Sequence, residues 1–175
     1  MACEFLKNET QEIALNAPIL FDTSIPCNRG LVYHEGNTGN FILRHASANS
    51  QCPCPCARGC GCGCGCGCGC GCADGSTHYQ VTFNGNIAIP EGGTAGPIAV
   101  AITVNGEPRL TSRAIFTPAA AEEYGNVTST AIVKVPKCCC FSLSVDSVPA
   151  TTDPTATPAP LIDVQNANLT IAKVN

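Results

Sequence analysis

The sequence predicts an all-β fold, an antiparallel sandwich of about eight to nine short strands. Three observations lead there. Helix signals are nearly absent: the best candidate is Pro118–Tyr124 (PAAAEEY), about two turns with Thr117 as cap and Pro118 in the first helical position. A loop between strands is the competing reading of that stretch. Second, FSLSVDSV alternates strictly, with Phe141, Leu143 and Val145 on one face and Ser142, Ser144 and Asp146 on the other, the pattern of a half-buried strand. Third, short apolar runs recur along the chain with turn signals between them. The strongest of these signals is Asn105-Gly106, where both residues tolerate positive φ in a tight hairpin.

The strands follow in order. Ile13–Phe21, Leu31–His34 and Asn40–His45 read as strands. Tyr79, Val81 and Phe83 alternate with Gln80 and Thr82. Ile98, Val100, Ile102 and Val104 form an inward set, and their small neighbours Ala99, Ala101 and Thr103 allow the second face to pack as well. After the Asn105-Gly106 turn, Leu110–Phe116 reads as the return strand. Val127–Val135 and Leu161–Val174 complete the set, the last interrupted near Asn166–Asn168. Residues 12–175 form the domain and residues 1–11 a free N-terminal arm. Two segments break the pattern. One is a Cys-Gly-rich insert, Ala46–Thr77, between two strands; the other is Pro149–Pro160 (PATTDPTATPAP), an exposed, stiff connection.

A chain of 175 residues suits one domain with a real core. Charged residues are 13 % and the net charge is −4, which argues against nucleic acid as a partner. No run of eighteen apolar residues occurs, so no membrane span is expected. The start, MACEFLKNETQEIALN, lacks a basic segment followed by an apolar one. That predicts synthesis in the cytoplasm without a signal peptide, with thiols initially reduced. An extracellular destination would then be reached by another route, such as lysis of a mother cell.

The chain carries 15 cysteines. Ten crowd one stretch: Cys52, Cys54, Cys56, Cys60, Cys62, Cys64, Cys66, Cys68, Cys70 and Cys72, mostly alternating with glycine. Residues two apart in an extended chain are about 6.5–7 Å apart at Cα. A disulfide tolerates little beyond about 6.8 Å, so bridging neighbours along an extended tract is strained. Opposed residues of two antiparallel tracts lie about 4.5–5.5 Å apart, which allows disulfides between chains or across a hairpin. Metal binding relaxes the constraint. Thiolates suit Cu(I) and Zn(II), a Cys-X-Cys pair can chelate one ion or bridge two, and glycine lets the backbone bend to fit. Ten thiolates suffice for roughly two to four tetrahedral ions. The pattern resembles the Cys-X-Cys usage of metallothioneins, with greater regularity. Three readings stand: a soft-metal site, an inter-chain disulfide clamp, and a low-complexity repeat with free thiols.

His45 and His78 flank the insert and are candidate imidazole ligands, or else strand-end residues facing water; Arg58 and Asp74 read as solvated. Outside the tract lie Cys3, Cys27, Cys138, Cys139 and Cys140. Alternation places Cys139 on the core face with Phe141, and Cys138 and Cys140 outward as cross-link candidates. Cys3 and Cys27, the latter in a turn or rim position, join them as possible inter-subunit disulfide residues. Because 15 is odd, a fully paired monomer is impossible.

From Tyr79 to Asn175 the chain resembles bacterial surface jelly rolls of the tumour-necrosis-factor-like type, as in the C-terminal domain of collagen-like exosporium glycoproteins. The resemblance rests on YQVTFNGNIAIPEGGTAGPIAVAITVNGE, TPAAAEEYGNVTSTAIVKVP and IDVQNANLTIAKV. It implies a jelly roll that self-associates as a homotrimer or helical filament and serves as a structural subunit on a spore or cell surface. The chain lacks the Gly-X-Y stalk of that family. A similarity of arrangement alone links Cys3 and Cys138–Cys140 to spore appendage pilins, whose arm cysteines lock onto the next subunit. Two other readings remain: a metallothionein-like storage or detoxification protein on a jelly-roll carrier, and a phage virion decoration protein.

No phosphate-binding glycine loop and no nucleophile elbow occurs, so no enzyme is expected. The adjacent Glu122-Glu123 pair reads as solvated. The sequons at Asn8, Asn126 and Asn168 are short patterns expected by chance in a Thr-rich chain.

Overall fold

A computed structural model describes residues 2–25, 31–46, 75–136, 139–153 and 157–174. The ten tract cysteines, Cys27, Cys138, Arg58 and Asp74 lie outside the described residues. The strands are β1 (Ala2–Lys7), β2 (Gln11–Ala14), β3 (Thr23–Ile25), β4 (Val32–His34), β5 (Phe41–Arg44), β6 (Ser76–Ala88), β7 (Ile98–Val104), β8 (Glu107–Pro108), β9 (Ala114–Phe116), β10 (Gly125–Pro136), β11 (Cys140–Val148) and β12 (Leu161–Lys173). They form two six-stranded antiparallel sheets. The first runs β10-β6-β12-β1-β3, with β2 also paired to β12. The second runs β4-β5-β11-β7-β8, with β9 also paired to β7. The sheets enclose one core, a jelly-roll-like sandwich.

Alternation decides which side chains enter that core. Phe83, Val81 and Tyr79 of β6 share one core cluster with Leu143 and Val145 of β11 and Phe41 and Leu43 of β5, all fully buried. Phe41 sits at an aromatic junction: its ring meets Phe5 edge-on at 4.6 Å and Phe21 at 5.6 Å, and stacks on His34 at 4.5 Å. All of β7 is buried. The small outer-face residues Ala99 and Ala101 pack with Val148 in a second cluster, as the small side chains of that strand suggest.

The Asn105-Gly106 hairpin forms as its sequence predicts. Both residues have positive φ, 54° and 80°, and the flanking pair is Val104 with Glu107. The interruption expected near Asn166–Asn168 is a bulge: Asn166 takes φ 52°, the register to β6 shifts between Gln165 and Asn168, and β12 continues to Lys173.

Three expectations give way, and one open choice is decided. The segment 2–7 is not an arm but a strand inside the first sheet, held by β12 on one side and β3 on the other. Its alternation, with Cys3 and Phe5 inward, is too short to stand out beside polar neighbours. Ile13–Phe21 is not one strand. It leaves β2 at Ala14, turns through Asn16 at φ 63°, and crosses to the second sheet, where Ile19 N–H donates to the Val145 carbonyl. The return strand at Leu110–Phe116 is split into a 3₁₀ turn, Leu110–Ser112, followed by β9. The buried Ser112 hydroxyl causes the split: it accepts from Ile102 N–H at 3.0 Å and donates to the Arg109 carbonyl at 2.7 Å. Of the two readings of Pro118–Tyr124 the loop is the one found: residues 117–124 form bends and turns, with Glu123 Oε2 accepting from Ala119 N–H and Ala120 N–H.

Candidate functional site at the root of the insert

The described residues on either side of 47–74 meet at one place. Ala46 N–H donates to Thr77 Oγ1 at 2.8 Å, across the whole intervening segment. Below this tie the Tyr79 hydroxyl donates to the Arg44 carbonyl, joining β6 to β5. Tyr79 is 1 % exposed, and burial pushes its phenol up to about 12. Thr77 is buried too. The two ties span the gap between the sheets and hold residues 44–46 against 77–79.

The β10–β11 connection arrives at the same end. Pro136 pairs with Ser76 and Cys140 with Arg44. Cys139 N–H donates to the Pro136 carbonyl at 3.1 Å, and the half-buried Cys139 side chain packs on the core, the face that alternation assigns it. Cys140 is half-buried beside Arg44. His45 also sits here, with a buried Nδ1 that has no hydrogen-bond partner among the described residues. His78 lies opposite Lys134 on β10, and its carbonyl accepts from Val174 N–H. Cys3 pairs with Ile171 on β12, two residues from the strand end at Lys173; it is 5 % exposed and disulfide-bonded. Among the described residues no group of three or more His, Cys, Asp or Glu is placed to hold a metal ion.

The other end differs in chemistry. A cavity of about 750 Å³ lies between the loop Ile89–Pro97 and residues 157–161, with Glu12 at its edge. Nearby Asp163 is pushed above the usual carboxylate range by burial, and next by the charges of Glu12 and Glu122. This end is acidic and carries no sulfur.

Sequence reasoning gave no sign of the tie between Ala46 and Thr77. Neither residue type announces a hydrogen bond to a position so distant. A second missed element is Gln11, whose buried amide grips the Leu20 backbone, donating to its carbonyl at 3.1 Å and accepting from its N–H at 2.8 Å.

No protein-family model matches the sequence, and no curated protein matches it. Solved structures do. The chain is similar to the globular domain of the zebrafish complement 1qA protein, with TM-score 0.51 and 12 % identity over 97 % of this chain and 94 % of that one. It is also similar to the Eiger TNF of S. frugiperda, with TM-score 0.55 and 10 % identity over 100 % of this chain and 92 % of the other. The fold is a TNF- and C1q-like jelly-roll sandwich. At these identities the likeness concerns the path of the backbone. Its span is nearly the full chain, so the N-terminal strand belongs to the sandwich as much as the C-terminal half does.

Proposed function

We propose that this chain is a self-assembling structural subunit of a bacterial extracellular filament, appendage or spore-surface layer. Its Cys-Gly tract holds soft metal ions, Cu(I) or Zn(II), or forms disulfides between subunits. The protein acts by assembly and not by catalysis. The observation that carries this reading is the rooted insert. A sandwich closed by its own buried ties at Ala46–Thr77 and Arg44–Tyr79 can carry a cysteine-rich segment without relying on it for folding. The likeness to a C1q globular domain and a TNF supports a display role for the scaffold.

The test is purification from the native source without reductant or chelator, followed by metal per chain, free-thiol content and electron microscopy. Several equivalents of copper or zinc, with thiols recovered after chelation, identify a metal-thiolate tract. Few thiols until reduction identify a covalent clamp. Ordered assemblies support the structural role; a metal-loaded protein that stays monomeric at all concentrations points to storage instead.

A further inference from the structure

Among the described residues, one long strand edge of the sandwich has no partner strand. Sheet order places β10 at the border of the first sheet, paired with β6 alone. The other border strands, β2, β3, β4, β8 and β9, have four residues or fewer, and edges so short offer little to pair with. Strand β10 has 12 residues, and its register to β6 runs without a bulge from Gly125 opposite Ile87 to Pro136 opposite Ser76. It is rich in β-branched Val, Thr and Ile, and Lys134 is its single charge. Its inner side is taken: the Ser129 hydroxyl donates to the Ser112 carbonyl, and the Phe116 ring packs against Gly125. Its outer side shows Ile132, at 60 % the most exposed large apolar side chain among the described residues.

The hydrogen-bond pattern identifies the free groups. Val174 N–H donates to the His78 carbonyl at 2.9 Å, so His78 turns its backbone groups toward β12. These directions alternate along a strand of an antiparallel sheet, so Tyr79, Val81 and Phe83 turn theirs toward β10. Their partners there are Val133, Ala131 and Ser129. The N–H and C=O groups of Asn126, Thr128, Thr130, Ile132 and Lys134 therefore point out of the sheet edge. Pro136 has the same parity: it has no N–H to leave unpaired there, and its carbonyl accepts from Cys139 N–H.

We infer that β10 pairs with β10 of a second copy, antiparallel, about a two-fold axis at Thr130. In this register Thr130 faces the partner's Thr130, Thr128 the partner's Ile132, and Asn126 the partner's Lys134. All five edge residues of each copy are then bonded, with about ten hydrogen bonds in all, the number an ordinary stable interface carries. Moving the axis to Ala131 would set Asn126 against the partner's Pro136, which has no N–H and a carbonyl in use. No like charges meet at the Thr130 register, and the two first sheets become one continuous sheet. The partner is a second copy because no other described edge of this chain matches the length of β10, and the two-fold pairing is self-complementary. This contact deepens the self-assembly reading and rests on it only for its biological setting.

The test uses the full chain in reductant and EDTA, so that neither disulfides nor metal contributes. Sedimentation velocity is run on the parent, on Thr130→Lys, on Thr130→Asp and on an equimolar mixture of the two variants. Thr130 is exposed, its hydroxyl 3.4 Å from that of Thr82, so both variants should keep the circular dichroism of the parent. The expected result is a parent dimer, an affinity lower by at least about tenfold in each variant alone, and recovery in the mixture, where opposite charges meet at the axis. Thr128→Pro, which removes only an edge N–H, should also lower the affinity while keeping the ladder to β6. Variants that dimerise as well as the parent overturn the inference, as does a mixture no tighter than either variant alone. A parent that is monomeric here but assembles once oxidised or metal-loaded overturns this contact and leaves the structural-subunit reading standing. A parent that stays monomeric under all three conditions counts against both.

Discussion

Removing residues 47–74 and joining Ala46 to Gly75 through a four-residue turn tests whether the sandwich folds independently of its insert. The root is already closed, because the Ala46–Thr77 and Arg44–Tyr79 hydrogen bonds are made by residues that the deletion keeps. What changes is the entropy of closing the loop. Shortening it from roughly 30 residues to 4 lowers the closure cost by (3/2)RT ln(30/4), about 1.8 kcal/mol. For a chain of this size that corresponds to a rise in Tm of about 4–7 °C. The assay is urea unfolding under reducing, metal-free conditions, where no cross-link obscures the chain term. The midpoint should rise and the slope should stay nearly constant, since the core surface exposed on unfolding is the same. Soft-metal uptake should fall to near zero in the same variant. A shortened chain that is insoluble, or less stable than the parent by 1 kcal/mol or more, would refute the reasoning, because the insert would then be part of what holds the sheets together.

Three further outcomes follow from the buried polar groups. Gln11→Ala strands both backbone groups of Leu20 and should cost about 2 kcal/mol in urea unfolding, whereas a loss under about 0.5 kcal/mol would mean that water replaces the amide. Tyr79 keeps its phenol proton in the folded state above pH 10, where the unfolded chain releases it. Its contribution is complete below pH 10 and is lost as pH rises toward about 12, so stability should fall across that window. Tyr79→Phe should flatten the slope and cost about 1 kcal/mol at neutral pH through the bond to the Arg44 carbonyl. Asp146 is pushed up by burial, with the Ser144 and Thr103 hydroxyls pulling the other way, and its Oδ1 is buried with no hydrogen-bond partner among the described residues. The folded state favours the protonated acid, so the stability it contributes at low pH is lost as pH rises through its folded value. Asp146→Asn should therefore raise Tm at pH 7 more than at pH 3; an equal shift at both would rule out the carboxylate charge as the cause.

The sequence by itself determined the class of fold, because period-two alternation in β6, β7 and β11 is a local property of the chain. It also determined the Asn105-Gly106 turn, whose two positive φ angles suit those residue types and need no tertiary help. The composition of the tract and the odd cysteine count were equally legible. Tertiary structure alone decided three things. It turned residues 2–7 into a strand between β12 and β3, since six residues earn their place only from partners distant in sequence. It split the segments 13–21 and 110–116, where Asn16 and the Ser112 hydroxyl answer to groups on other strands. And it brought Cys3, Cys139, Cys140 and both ends of the insert to one pole. That convergence follows from strand direction and register, which depend on how many times the chain reverses and where each strand pairs; no local pattern encodes either.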